Sequence, residues 1–210
     1  MGNIARTKDP QARMNEILEA AEQLFAVQGY YSTTIRDISQ KIGVAQGMLY
    51  YYFKSKEDVL ETLLDEHVNV LLFEASTIQT TVQAPSEKIA SLLSMVLQKA
   101  MYKNGLLLNM IYDVQNLQVK QKLFLRIEEG LSPKLTAIIE DGIKQKQFSV
   151  SYIPTAIDYI LTILEFLSLA LYQRTSPRIL TSRIRMAEKL IESTLSSKDK
   201  SIHIYTNANR

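Results

Sequence analysis

The sequence predicts an all-α protein, with a small N-terminal three-helix unit joined to a larger C-terminal helical unit. Three observations carry this. Gly and Pro are scarce, at seven and five in 210 residues, while strong helix formers abound. Apolar residues recur at helical spacing through most of the chain, and no run alternates convincingly as a strand would. Cap-forming residues stand at the starts of several apolar runs, at Thr34, Ser55 and Ser176.

The first helix is expected over 11–28, with Ile17, Leu18, Ala21, Leu24 and Phe25 as its apolar face. Gly29 ends it. The second begins at Thr34, where Thr34-Ile35-Arg36-Asp37 has the form of a capping box with Asp in the usual Glu or Gln place. Ile35, Ile38 and Ile42 form its buried side, and Gly43 breaks it. A very short third helix follows from Ala45 to Tyr51. Ser55-Lys56-Glu57-Asp58 repeats the capping pattern and opens a long fourth helix carrying Val59, Leu60, Leu63, Leu64, Val68 and Leu71.

Ser76 to Pro85 is Thr-rich and reads as a loop or a helix end. A helix follows from Ser86 to Lys103, and Gly105, 113–116, Gly130 and Pro133 punctuate those after it. Pro133 suits the first turn of a helix to Gln147. Two more helices are expected over 153–174 and 177–197. The resulting domains are 1–55, 56–198 and a frayed tail, 199–210.

Composition narrows the function. A hydrophobic content of 46% over 210 residues can bury a sizeable core. With no cysteine there can be no disulfide, thiol catalysis or thiolate metal site. The N-terminus lacks the apolar run of a signal peptide, and Tyr159 to Tyr172 is short for a bilayer span, so the expectation is a cytoplasmic protein with no membrane partner. The two histidines, His67 and His203, match no metal or nucleophile pattern, and no Gly-rich phosphate loop occurs. The chain is therefore expected to be no enzyme and to hold no cofactor or metal.

The formal net charge of +2 says little by itself. Residues 1–56 carry seven bases (Arg6, Lys8, Arg13, Arg36, Lys41, Lys54, Lys56) against five acids, three of which sit at 16, 19 and 22 on one helix. The bases flank that helix, which permits a phosphate-facing patch at each end.

A short helix, a Gly-bearing turn and a second short helix over 34–53 form helix-turn-helix spacing. Steps of 100° from Gln46 put Gln46, Gly47, Tyr50 and Tyr51 on one side, opposite Leu49. Leu49 joins Ile38, Ile42, Val44 and Phe53 in the core. Gly47 lets the backbone approach another surface closely. Exposed tyrosines suit thymine methyls and phosphate oxygens better than bulk water.

The segment resembles the TetR family of bacterial regulators over about residues 11–64. The resembling residues are Ile17-Leu18-Glu19-Ala20-Ala21, Phe25, Gly29-Tyr30, Thr33 to Ile38, Gly43-Val44, Gly47, Leu49 to Phe53 and Lys56 to Leu60. The resemblance implies duplex operator DNA as a partner. Thr34 and Lys56 would hold phosphates, and Arg36 would reach a base edge or phosphate. Ala45, Gln46, Gly47 and Met48 would face the major groove, with Tyr50, Tyr51 and Tyr52 on the thymine region and backbone. Met48 departs from the small polar residue common in the family, and Tyr52 turns towards Leu49 on the helical wheel.

The resemblance further implies a homodimer acting as a repressor on a palindromic operator. An inducer bound in the larger domain would swing the fourth helix, change the spacing of the two reading heads and release the repressor. The helix at 155–172 is apolar almost all round, apart from Thr155, Asp158, Thr162 and Glu165. With the last helix it offers a dimer seam of Ile160, Leu164, Leu167, Leu171, Leu180, Ile184, Ala187 and Ile191. Met95, Tyr102, Met110, Tyr112, Phe124 and Phe166 are either ordinary core or the lining of a pocket for a largely apolar small molecule. If Asp158 or Glu165 faces inward, a lipophilic cation fits. If both face solvent, a fatty acyl or neutral aromatic ligand fits equally. A regulator or adaptor controlled by a protein partner, without a small-molecule ligand, is the alternative.

Overall fold

A computed structural model describes residues 9–113, 117–197 and 202–206; Arg6 and Lys8 lie outside them. The described residues form nine α-helices and no strand. In order they are α1 (Pro10–Gln28), α2 (Ile35–Lys41), α3 (Gln46–Tyr52), α4 (Lys56–Gln79), α5 (Pro85–Ala100), α6 (Tyr102–Tyr112), α7 (Leu117–Lys144), α8 (Ile153–Tyr172) and α9 (Pro177–Thr194). Two compact units divide inside α4, between Glu66 and His67, eleven residues beyond the boundary expected at 55/56.

The first unit is built by local signals. Asp9 accepts a hydrogen bond from the Gln11 backbone N–H and caps α1, with Pro10 in the first turn. Gly29 stops α1 with φ +83°, and Gly43 follows α2 with φ +71°, both in the left-handed region that favours glycine. The Thr34–Asp37 capping box forms as the spacing predicts. At α4, Ser55 Oγ accepts from the Asp58 N–H while Asp58 accepts from the Lys54 N–H, one residue earlier than a strict box. Ile17, Leu18, Ile38, Leu49 and Leu60 are fully buried.

The second unit holds a core of α5, α7, α8 and α9 residues, including Leu92, Leu97, Leu131, Leu135, Ile160, Leu167, Ile184 and Ile191. α8 is long and apolar enough by composition to cross a membrane, but one of its faces is built into this core.

Two expectations need correction here. Gly130 and Pro133 do not interrupt a helix; α7 runs through both. Pro133 cannot donate to the carbonyl four residues back. Close by, Ser132 Oγ donates to the Glu128 carbonyl at 2.7 Å and Lys134 Nζ to that of Gly130 at 3.0 Å. Gly130 is there for packing, since a Cβ would collide with Leu72. The tail is also not wholly frayed. Ile202, Ile204 and Thr206 are buried, and the Ile202, Ile204 and Tyr205 N–H groups donate to Glu192, Glu188 and Ser94. The alternation Ile202-x-Ile204-x-Thr206 places one side of an extended segment inward.

Candidate nucleic-acid interface and ligand cleft

α3 presents Gln46, Gly47, Met48, Tyr50 and Tyr51 to solvent, with Ala45 exposed just before them. Leu49 is fully buried. Tyr51 is 81% exposed, and its ring meets the edge of the half-buried Tyr52 at 5.0 Å. Tyr52 thus stands at the margin of the face. Gly47 has no left-handed φ, and a Cβ placed on it meets no atom within 4 Å. The protein's own packing therefore gives no reason for glycine at this point in a helix.

The flanking groups divide into free and committed. Arg36, Lys41 and Lys54 are exposed, and no salt bridge among the described residues engages them. Arg13 is taken up by Glu16 at 2.6 Å. Thr34 is exposed, but its hydroxyl accepts from the Asp37 N–H and donates to the Asp37 carboxylate at 2.7 Å. Those hydrogen bonds from Thr34 hold the Asp37 carboxyl below its ordinary range.

Lys56 is where the structure departs furthest from expectation. Its ammonium donates to the carbonyls of Tyr30 and Thr33, both at 2.8 Å, and lies 4.2 Å from the centre of the Tyr30 ring. Two of three ammonium protons tie the α1–α2 connection to the start of α4. Desolvation lowers the Lys56 pKa, opposed by Glu57, and burial pushes the Tyr30 phenol up to about 12. The side chain expected to hold a phosphate is first a staple inside its own domain.

In the second unit the six aromatic and Met residues expected around one pocket are scattered. Phe124 lines a cleft of about 320 Å³ with Val96 of α5, Ile127 and Glu128 of α7, and Asp158, Leu161, Thr162, Leu164, Glu165 and Ser168 of α8. Met95 lines a separate cleft beside His203 and Tyr205. Met110 is buried, Tyr102 is exposed, and Phe166 is half exposed with the Arg183 guanidinium 5.1 Å from its ring centre. Tyr112 stacks on Tyr172 at 4.9 Å, and the Tyr172 hydroxyl donates to Asp113 at 2.5 Å. Tyr112's own hydroxyl is buried without a hydrogen-bond partner, and burial, reinforced by Glu165, pushes its pKa up to about 12. Sequence reasoning missed Glu128, Ile127 and Val96, because nothing local says that three helices meet there.

The expected dimer seam is also corrected. Ile160, Leu164, Leu167, Leu171, Leu180, Ile184, Ala187 and Ile191 are all buried within one protomer. They cannot present area to a partner. The apolar groups that α8 and α9 leave exposed are Tyr159, Phe166, Ile179, Met186 and Leu190. No group of His, Cys, Asp and Glu among the described residues could hold a metal ion.

Two short helices across a glycine turn, with one side of the second turned to solvent, define a helix-turn-helix domain, and a second helical unit follows it in the chain. Residues 17–63 match the model of the bacterial regulatory proteins of the tetR family. It is 37% identical over 83 residues to the HTH-type transcriptional repressor KstR2 of Mycolicibacterium smegmatis, covering 40% of each chain. It is 27% identical over 139 residues to the fatty acid metabolism regulator protein of Bacillus subtilis, covering 65% of this chain and 71% of that one. The chain thus spans about 40% of the length of the first of these relatives. The crystal structure of FadR from Bacillus subtilis in complex with stearoyl-CoA matches with a TM-score of 0.67 and 21% identity, over 87% of this chain and 97% of that chain. At that identity the likeness concerns the fold.

Proposed function

We propose that this protein is a ligand-responsive transcriptional repressor that binds a palindromic operator as a homodimer in the cytoplasm and is released by a largely apolar small molecule. The observation that carries the reading is the solvent side of α3. It combines a hydrogen-bonding Gln46, a glycine with no internal use and two exposed tyrosines, next to unpaired Arg36, Lys41 and Lys54. Gln46 supplies the amide suited to an adenine edge, and the cations supply phosphate contacts. Thr34 and Lys56 act mainly by shaping this surface, with the remaining Lys56 proton free for a phosphate. Met48 reads shape or a thymine methyl.

Dimerisation is assigned to the exposed stripe of Tyr159, Phe166, Ile179, Met186 and Leu190, and the effector to the cleft around Phe124. The relatives named as a repressor and as a fatty acid metabolism regulator support a ligand-controlled role.

The test is selection of duplexes from a random pool, followed by binding measurements on the winner. The expected result is a two-fold symmetric site. Six phosphate contacts per dimer would cost about 10³ in affinity between roughly 50 and 200 mM salt. Gln46→Ala should relax preference at one base pair per half-site by about 1–3 kcal/mol. No selectable sequence, or binding indifferent to salt, would overturn the reading.

A further inference from the structure

The cleft of the second unit has a floor and a rim of different chemistry. Val96 and Leu164 are buried, and Phe124, Ile127 and Leu161 are half-buried, which makes an apolar floor. Glu128, Asp158 and Glu165 are exposed and form the rim. Asp158, Thr162 and Glu165 share one side of α8 at spacings of four and three residues, while Glu128 comes from α7. Among the described residues no Lys, Arg or His lies within 4 Å of these three carboxylates, and no side-chain hydrogen bond engages them. The hydrogen bonds at Glu128 and Asp158 go to their backbone carbonyls, from Ser132 and Thr162.

The neighbouring cation is otherwise occupied. Lys120 lies 4.6 Å from the Tyr112 ring centre and 5.5 Å from that of Phe124. Nearby, the Tyr112 hydroxyl is buried without a hydrogen-bond partner.

We propose that the ligand of this cleft is a cationic amphiphile, with its apolar chain on the Val96–Phe124–Leu164 floor and its positive head among Glu128, Asp158 and Glu165. This rests on the reading of the cleft as the effector site and adds the sign of the effector's charge. Three unpaired carboxylates facing one site attract a cation and repel a carboxylate or phosphate head, so the rim discriminates by charge where the floor discriminates only by size. Asp158 and Glu165 are solvent-exposed yet line the cleft, so it is their place on its rim, not burial, that argues for a positive head.

The experiment is calorimetric titration of the full-length protein at low salt, below micelle-forming concentrations, with decyltrimethylammonium, decanoate and stearoyl-CoA. Decyltrimethylammonium should bind once per protomer and about tenfold or more tightly than decanoate, the worth of one partly screened charge contact. In the variant Glu128→Gln, Asp158→Asn, Glu165→Gln the two should bind within about twofold of each other. All three changes lie at exposed positions, and circular dichroism checks that the helices persist. Decanoate or stearoyl-CoA binding as tightly as the cation, or a cation preference that survives the triple change, overturns the proposal. If an anion binds and Leu161→Trp blocks it, the cleft is the effector site and only the charge assignment falls. If no probe binds, or Leu161→Trp changes nothing, both fall.

Discussion

Replacing Gly47 with Ala separates what α3 needs for folding from what it needs for recognition. Gly47 is the second residue of α3, has no left-handed φ, and faces open space where a Cβ would stand. A methyl group there removes backbone freedom from the unfolded chain and raises helix propensity without a clash. The two routes describe overlapping effects, so the gain is about 0.5–1 kcal/mol rather than their sum. In urea the unfolding midpoint should rise at constant slope. Operator affinity should move the other way. If the backbone at Gly47 is pressed against the duplex, a methyl in that contact costs on the order of 1.4 kcal/mol, or tenfold. Fluorescence anisotropy on a labelled operator reads that loss. A variant that is both more stable and equally tight on DNA would refute the close approach. A destabilised variant would refute the open packing around Gly47.

Lys56→Ala should cost about 1–3 kcal/mol of stability, because it leaves the Tyr30 and Thr33 carbonyls without a charged donor, and the loss should appear in urea unfolding with no DNA present. Asp37 gives the first unit a pH signature. Its folded pKa is depressed by Thr34, so its contribution is complete above the ordinary carboxylate value of 3.8 and disappears as pH falls through the folded value. Asp37→Asn should flatten that acid limb in unfolding curves taken from neutral pH downward. Ile204→Ala should destabilise the second unit by about 2–4 kcal/mol, as expected for a core isoleucine, whereas a frayed tail would leave thermal unfolding unchanged.

The first unit was legible because its signals are local. Thr34 and Asp37 sit three residues apart, Gly29 and Gly43 stand where the backbone turns left-handed, and Leu49 falls opposite Gln46 on a short helix. The structural part Lys56 plays inside its own domain is not legible locally, because its partners lie 26 and 23 residues away and only the folded chain brings their carbonyls to its ammonium. α7 was cut in two because Gly130 and Pro133 are local stop signals. Packing against Leu72 and side-chain bonds to nearby carbonyls outweigh them.

The stripe expected from periodicity to form a dimer seam is buried for a different reason. α8 and α9 each carry apolar residues on more than one side. Periodicity finds the strongest stripe, and that stripe is the protomer's own core. The weaker stripe, richer in Tyr, Phe and Met, is the one left outside. The tail carried a usable signal in its two-residue alternation, Ile202-His203-Ile204-Tyr205-Thr206, which a search for helical spacing passes over.

In the proposed regulator the exposed side of α3 and its flanking cations form the DNA-reading surface. Amide chemical-shift mapping of isotope-labelled protein, with and without the selected duplex, tests it most directly. Large shifts should concentrate at Thr34 to Arg36, Gln46 to Tyr51 and Lys54, with Leu92 and Leu135 in the second unit's core unmoved. Shifts absent from Gln46 to Tyr51, or centred on the α8–α9 surface around Met186, would contradict it.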